Sequence, residues 1–164
     1  MAEESFTDPG AAPRAPQLAI ERVYVRDVSF ESPKSPGIFG SEWKPEVHMD
    51  INTRSNALDA QRHEVVLTLT IEARIDGEAA MIVELQQAGI FRLENMDGVL
   101  TEQVLATACP TALFPYARET VDALVTKGTF PPLMLAPMNF DALYAEAKRR
   151  AAEREERPPD SFVN

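Results

Sequence analysis

Apolar and polar residues alternate through the first half of the chain and recur at every third or fourth position in the second half. A period of two marks a strand with one buried face, and a period near 3.6 marks a helix with one buried stripe. Residues 18–30 read as a strand whose alternation switches once. Leu18 and Ile20 hold one parity, Val23 and Val25 the other, and a bulge near Arg22 reconciles them. Beyond it, Asp27, Ser29 and Glu31 share the face opposite Val28 and Phe30. Residues 46–54 alternate without interruption, with Val47, Met49 and Ile51 set against Glu46, His48, Asp50 and Asn52. Residues 63–75 do the same. His63, Val65, Leu67, Leu69, Ile71, Ala73 and Ile75 oppose Glu64, Thr68, Thr70, Glu72 and Arg74, with Val66 out of pattern.

Asp76-Gly77 predicts a two-residue hairpin into a fourth strand over residues 78–93. There Met81, Val83, Leu85, Gln87 and Phe91 share one face, and Ile82, Glu84, Gln86, Ala88 and Ile90 share the other. Gly89 allows a bend. Both faces of this strand are partly apolar. A sheet with one solvated face has no need of that, so part of the outer face is expected to meet a partner.

The second half reads as helices. A short one is predicted over residues 100–108, with Leu100, Val104 and Ala108 on one side. A long central one follows over residues 111–127, with the stripe Leu113, Ala117, Val121 and Leu124. Pro110 suits a first-turn position, where no backbone N–H is needed. Pro115 bends the helix or marks its start. Lys127 and Gly128 are stop signals. Asn139 caps a last helix with Asp141 in its first turn, and Phe140, Leu143, Tyr144, Ala147 and Ala151 form its stripe. Glu146–Arg150 and Glu153–Arg157 are spaced to pair along it, and Pro158-Pro159 ends it.

Strands followed by helices make an α+β pattern: a four-stranded antiparallel sheet, then a long central helix and a C-terminal helix. One domain over residues 18–157 is expected between flexible tails at 1–17 and 158–164. Two connections stand out, residues 32–45 and 128–137, because they are proline-rich and apolar at once. Loops are ordinarily polar. These carry Phe39 and Trp43 in the first, and Phe130, Leu133 and Leu135 in the second, with Met138 just beyond it. Together with Phe140 and Tyr144 these residues can line a groove, or form a small core beneath long loops.

Charge narrows the partners. The chain of 164 residues has a formal net charge of −10 and a pI near 4.7. That disfavours nucleic acid and anionic membranes and suits basic or unfolded polypeptides. No apolar run approaches the ~20 residues of a membrane span, and residues 1–17 lack the apolar core of a signal peptide. The expectation is a cytosolic protein that does not insert into membranes. A single cysteine, Cys109, permits no internal disulfide. No metal-ligand cluster, phosphate loop or nucleophile motif is present in the sequence. Cys109 stands before a helix start, where a thiolate is favoured, but free cysteines are usually packed. His48 and His63 read as strand residues rather than catalysts. No enzymatic activity and no cofactor are expected.

Several stretches in order carry a resemblance: VYVRDVSFESP, EWKPEV, HEVVLTLTIEA, ELQQAGIF, LFPYARE and GTFPPLMLAPMNFDALY. From about Val23 to about Tyr144 the chain resembles the SecB protein-export chaperones; the two ends do not. The resemblance implies an ATP-independent chaperone that keeps unfolded precursors fit for translocation and delivers them to the motor ATPase SecA. It implies SecA docking at Asp27, Glu31, Ile82 and Glu84, which the alternation independently puts on one sheet face. It implies a client groove at the apolar loop residues named above. It also implies that the neighbourhood of Val83, Leu85 and Gln87 supports a homotetramer built as a dimer of dimers, the long helices lying between two sheets. Two alternatives remain at this stage: a SecB-like chaperone devoted to one client such as an antitoxin, and a hot-dog-like thioesterase, whose fold also wraps a sheet around a helix.

Overall fold

The computed structural model describes residues 14–155. Four strands come first, β1 (Gln17–Glu31), β2 (Glu46–Ala57), β3 (Arg62–Ile75) and β4 (Glu78–Glu94). Three helices follow, α1 (Gly98–Ala106), α2 (Ala108–Lys127) and α3 (Phe140–Glu155). The strands form one antiparallel sheet in the order β1-β4-β3-β2. Gln17 already pairs with Glu94, so β1 begins inside the expected tail. The rest of that tail up to residue 13, and the C-terminal tail with Arg157, lie outside the described residues.

Local chemistry explains the element ends. Asp76 and Gly77 both have positive φ, 51° and 80°, as a type I′ hairpin requires. The Asp97 carboxylate accepts from the Leu100 N–H at 2.8 Å, and the Asn139 side-chain oxygen accepts from the Ala142 N–H at 2.9 Å. These are N-caps of α1 and α3. Only Thr107 separates α1 from α2, so α1 lies earlier, and α2 starts earlier, than the periodicity predicts. Pro110 falls in the first turn of α2 as expected, and Pro115 lies inside the helix on its exposed side.

The core is one layer deep. α2 lies on β3 and β4. Its buried seam is Cys109, Leu113, Ala117, Val121 and Val125, so Val125 takes the place expected of Leu124, which is only half-buried. Opposite it are Val65, Leu67, Leu69 and Ile71 of β3 and Met81, Val83, Leu85 and Phe91 of β4. β1 carries two register shifts, one at Glu21 and one at Arg26. Each inserts one residue, which keeps Leu18, Ile20, Val23, Val25, Val28 and Phe30 all on the helix side. Along α3 only Phe140 is buried; Tyr144 is half-buried, and Leu143, Ala147 and Ala151 are exposed, so most of the predicted stripe is uncovered.

Gly128 ends α2 with an ordinary right-handed φ of −72°, and the left-handed residue is Thr129 at 62°. Glycine is required at 128 for its size. A Cβ there would overlap the ring of Phe30 and sit 3.2 Å from the ring of Phe130. Gly128→Ala should therefore lower stability by about 1–3 kcal/mol, the usual cost of overpacking. Gly37→Ala, where an added Cβ meets nothing within 4 Å, should leave it unchanged. Urea unfolding midpoints of the two variants check this.

Candidate functional site

Pairing register lays out the sheet face that α2 leaves open. One row runs Glu31, Ile82, Glu72, His48 across β1, β4, β3 and β2. The next runs Ser29, Glu84, Thr70, Asp50, and the third Asp27, Gln86, Thr68, Asn52. Asp27, Glu31, Ile82 and Glu84 thus share one corner. Among the described residues Asp27, Glu31, Glu84 and Asp50 have no ion-pair partner, while Glu72 pairs with Arg74 at 2.9 Å on the rim. The row of Tyr24, Ala88, Val66 and Arg54 follows, then that of Arg22, Ile90, Glu64 and Asn56.

This second half is arginine-rich and internally compensated. Glu64 accepts from the Tyr24 hydroxyl and from Arg26 at 2.7 and 2.8 Å. The Tyr24 hydrogen bond, with help from Arg26 and Asn56, holds the Glu64 carboxyl below its usual range; burial and the same carboxylate raise the Tyr24 phenol. Arg62 pairs with Asp59 at 2.6 Å, and Arg92 with Glu21 at 3.2 Å. Val66, the residue out of pattern in β3, is fully buried on this face between Ala88 and Arg54.

The expected groove residues divide into groups. Phe130 is buried at the C-terminal end of α2, and the rings of Phe39, Trp43 and Phe30 surround it at centroid distances of 5.5, 5.3 and 6.4 Å. Phe39 remains 51 % exposed. The segment 131–139 then returns along α2, with Leu135 buried and Leu133 and Met138 half-buried against the core. At its far end Phe140 packs edge-on against Phe114 of α2, 6.1 Å between centroids. The Tyr144 hydroxyl donates to Glu102 at 3.2 Å, and Lys148 pairs with the same carboxylate at 3.0 Å. Phe130, Leu135 and Phe140 are therefore core side chains in this chain; Phe39, Trp43, Leu133, Met138 and Tyr144 keep accessible surface. Sequence periodicity cannot make that division, because residues 128–139 belong to no regular element.

Val83, Leu85 and Gln87 lie buried beneath α2. Side chains expected to support assembly are thus buried in the core of this chain rather than exposed on its surface. The Gln87 amide donates to the Tyr24 carbonyl at 2.9 Å, and its own carbonyl oxygen has no partner.

With this geometry in place, the comparisons with known proteins decide the family. The model described as preprotein translocase subunit SecB matches residues 11–151. The chain belongs to the SecB family. The protein-export protein SecB of Pseudomonas fluorescens Pf0-1 is 51 % identical over 158 residues, covering 96 % of this chain and 98 % of that protein. The SecB proteins of Hahella chejuensis and Marinobacter nauticus are 49 % and 48 % identical over 91 % and 93 % of this chain, and 94 % and 93 % of theirs. A SecB-like chaperone of Mycobacterium tuberculosis, solved with a peptide from the HigA1 antitoxin, shares the fold. Its TM-score is 0.60 at 19 % identity, over 74 % of this chain and 88 % of that one.

Reactive side chains are quiet in this SecB-family chain. Among the described residues no His, Cys, Asp and Glu group together as a metal site. His48 is exposed and His63 is half-buried. Cys109 is fully buried in the α2 seam, and burial pushes its thiol up to about 12. It should resist thiol reagents at neutral pH in the native state and react once the chain is unfolded in denaturant. Labelling by a maleimide with and without urea, followed by mass spectrometry, checks this; rapid native labelling would contradict the burial.

Proposed function

We propose that this SecB-family chain holds unfolded precursor proteins in the cytosol without ATP and delivers them to SecA. The observation that carries the reading is the corner of the open sheet face. Glu31 and Glu84 flank Ile82, Asp27 lies two rows further along β1, and none of these three carboxylates has a counter-charge among the described residues. An apolar side chain beside uncompensated carboxylates suits the docking of a basic partner. Clients occupy a different region. Phe39, Trp43, Leu133, Met138 and Tyr144 offer apolar area without fixed geometry, which suits partners of varied sequence.

Assembly as a dimer of dimers accounts for two uncovered surfaces. On β1, Leu18, Ile20, Val25 and Val28 face the helix side yet stay exposed. On α2, a trough of about 760 Å³ runs along the outward side, lined by Phe114, Pro115, Arg118, Asp122 and Pro137 among others. A second copy placed helix to helix covers both, with the long helices between two sheets. The mycobacterial relative's antitoxin peptide raises the dedicated-client alternative, but the uncompensated docking corner favours the export role. The thioesterase alternative falls with the family assignment.

Diluting a denatured export precursor into buffer tests the holding activity. Light scattering should be suppressed by this protein without nucleotide. Unsuppressed aggregation by the folded, assembled protein would overturn the general reading and favour a single client. Glu84→Lys should weaken SecA binding about tenfold or more at low salt, as like charges are brought together, while leaving precursor capture unchanged. An unchanged SecA affinity would remove the docking corner from the proposal.

A further inference from the structure

A cation stands at the edge of the acidic corner. Arg26 is the extra residue of the second register shift in β1, and the shift sets it beside Asp27 on the open sheet face. Its guanidinium is charged at every working pH. Yet it does not pair with Asp27. The side chain turns the other way, crosses β4 and leans two rows along the face to Glu64 of β3. There one guanidinium nitrogen lies 2.8 Å from one carboxylate oxygen and 2.7 Å from the other. Arg22 stands in the same row as Glu64, across Ile90, and has no ion pair among the described residues. Glu64 therefore takes the arginine next to the corner rather than the one in its own row.

Glu64 is well prepared to hold a cation. The Tyr24 hydroxyl and the Asn56 amide also donate to it, and its side chain is only 14 % exposed. The Tyr24 hydrogen bond, the largest influence, holds its carboxyl below the usual range, so it stays ionised at neutral pH. Bonds of this charge-assisted kind are stronger than neutral ones.

We infer that Glu64 is a positioning residue for the acidic corner: by holding Arg26 two rows away, it keeps Asp27 without a counter-charge and keeps the corner attractive to a cationic segment of SecA. The inference rests on the docking reading and deepens it. Without Glu64, the carboxylate beside Arg26 on the same strand and face is Asp27. A partner must then displace an arginine before it can use that carboxylate. Glu31 and Glu84 remain available, so the loss is partial.

Calorimetric titration of SecA into the full chain at low salt tests this. Glu64→Thr removes the carboxylate and suits a strand. It should weaken SecA binding about three- to fivefold, the range of one exposed ion pair, and the ratio to wild type should shrink toward one as salt is added. Arg26→Gln combined with Glu64→Thr has the net charge of the wild type and should restore its affinity. Asp59→Asn makes the same charge change as Glu64→Thr, keeps an acceptor for the Gln61 and Arg62 N–H groups, and should bind as the wild type does. Wild-type affinity in Glu64→Thr overturns the inference and leaves the docking reading intact. So does a deficit that survives in the double variant, or an equal deficit in Asp59→Asn. A changed particle mass in Glu64→Thr overturns it in favour of a purely structural role. Failure of the wild-type protein to bind SecA, or undiminished binding by Glu84→Lys, removes the docking reading and this inference together.

Discussion

Everything in this fold depends on α2 lying close against the middle of the sheet. Closeness is set where Gly89 of β4 meets Leu113: a Cβ at 89 would come 2.9 Å from the leucine and 2.8 Å from the Phe91 ring. With that contact made, every fourth residue of α2 from Cys109 to Val125 is sealed against β3 and β4. One helix is about as wide as two strands, so β1 and β2 are left with the helix-side face only partly covered. The same packing determines where the chain can bind anything. The second sheet face stays open because no helix crosses to it, and the loop after α2 must run back along the helix to reach α3.

Much of this was legible in the residues. Clean alternation in β2, β3 and β4 reports directly which side chains face α2, because a strand has only two faces. The hairpin at Asp76-Gly77 and the caps at Asp97 and Asn139 follow from turn chemistry that is local by nature. The acidic corner proposed for docking was legible as a shared face for the same reason: parity alone puts Asp27 with Glu31 and Ile82 with Glu84, and the ladder then sets the pairs side by side. The second shift in β1, at Arg26, was missed: a strand with one switch sets Val28 and Phe30 opposite Val23 and Val25, and the extra residue at Arg26 brings all four to the helix side. Leu124 and Val125 could not be separated by period, since both lie within the arc of a helix that faces a flat sheet.

The irregular loop was the least legible part. Between Gly128 and Asn139 there is no period to say which apolar residue is anchor and which is free, and proline spacing does not supply one. Phe130, Leu135 and Phe140 became core because they fall where the loop touches α2, a fact of three-dimensional path. Asp122 reaches Met134 across twelve residues of chain, and no local signal announces such a contact. Gly128 was recognisable as a helix end but for the wrong reason. Its role is to let Phe30 approach, which depends on a strand nearly one hundred residues away in sequence.

The open sheet face also has an electrical consequence. Unneutralised carboxylates at Asp27, Glu31, Asp50 and Glu84 occupy one end, while at the other Arg26, Arg62 and Arg92 are matched by Glu64, Asp59 and Glu21. Charge left uncompensated at one end only gives the face a lopsided negative field, which draws positive groups to that end. A cationic partner is drawn to the acidic end before the first contact is made, and the compensated end offers it no such pull. Added salt should therefore act on arrival more than on departure, slowing encounters while the lifetime of the formed pair changes little.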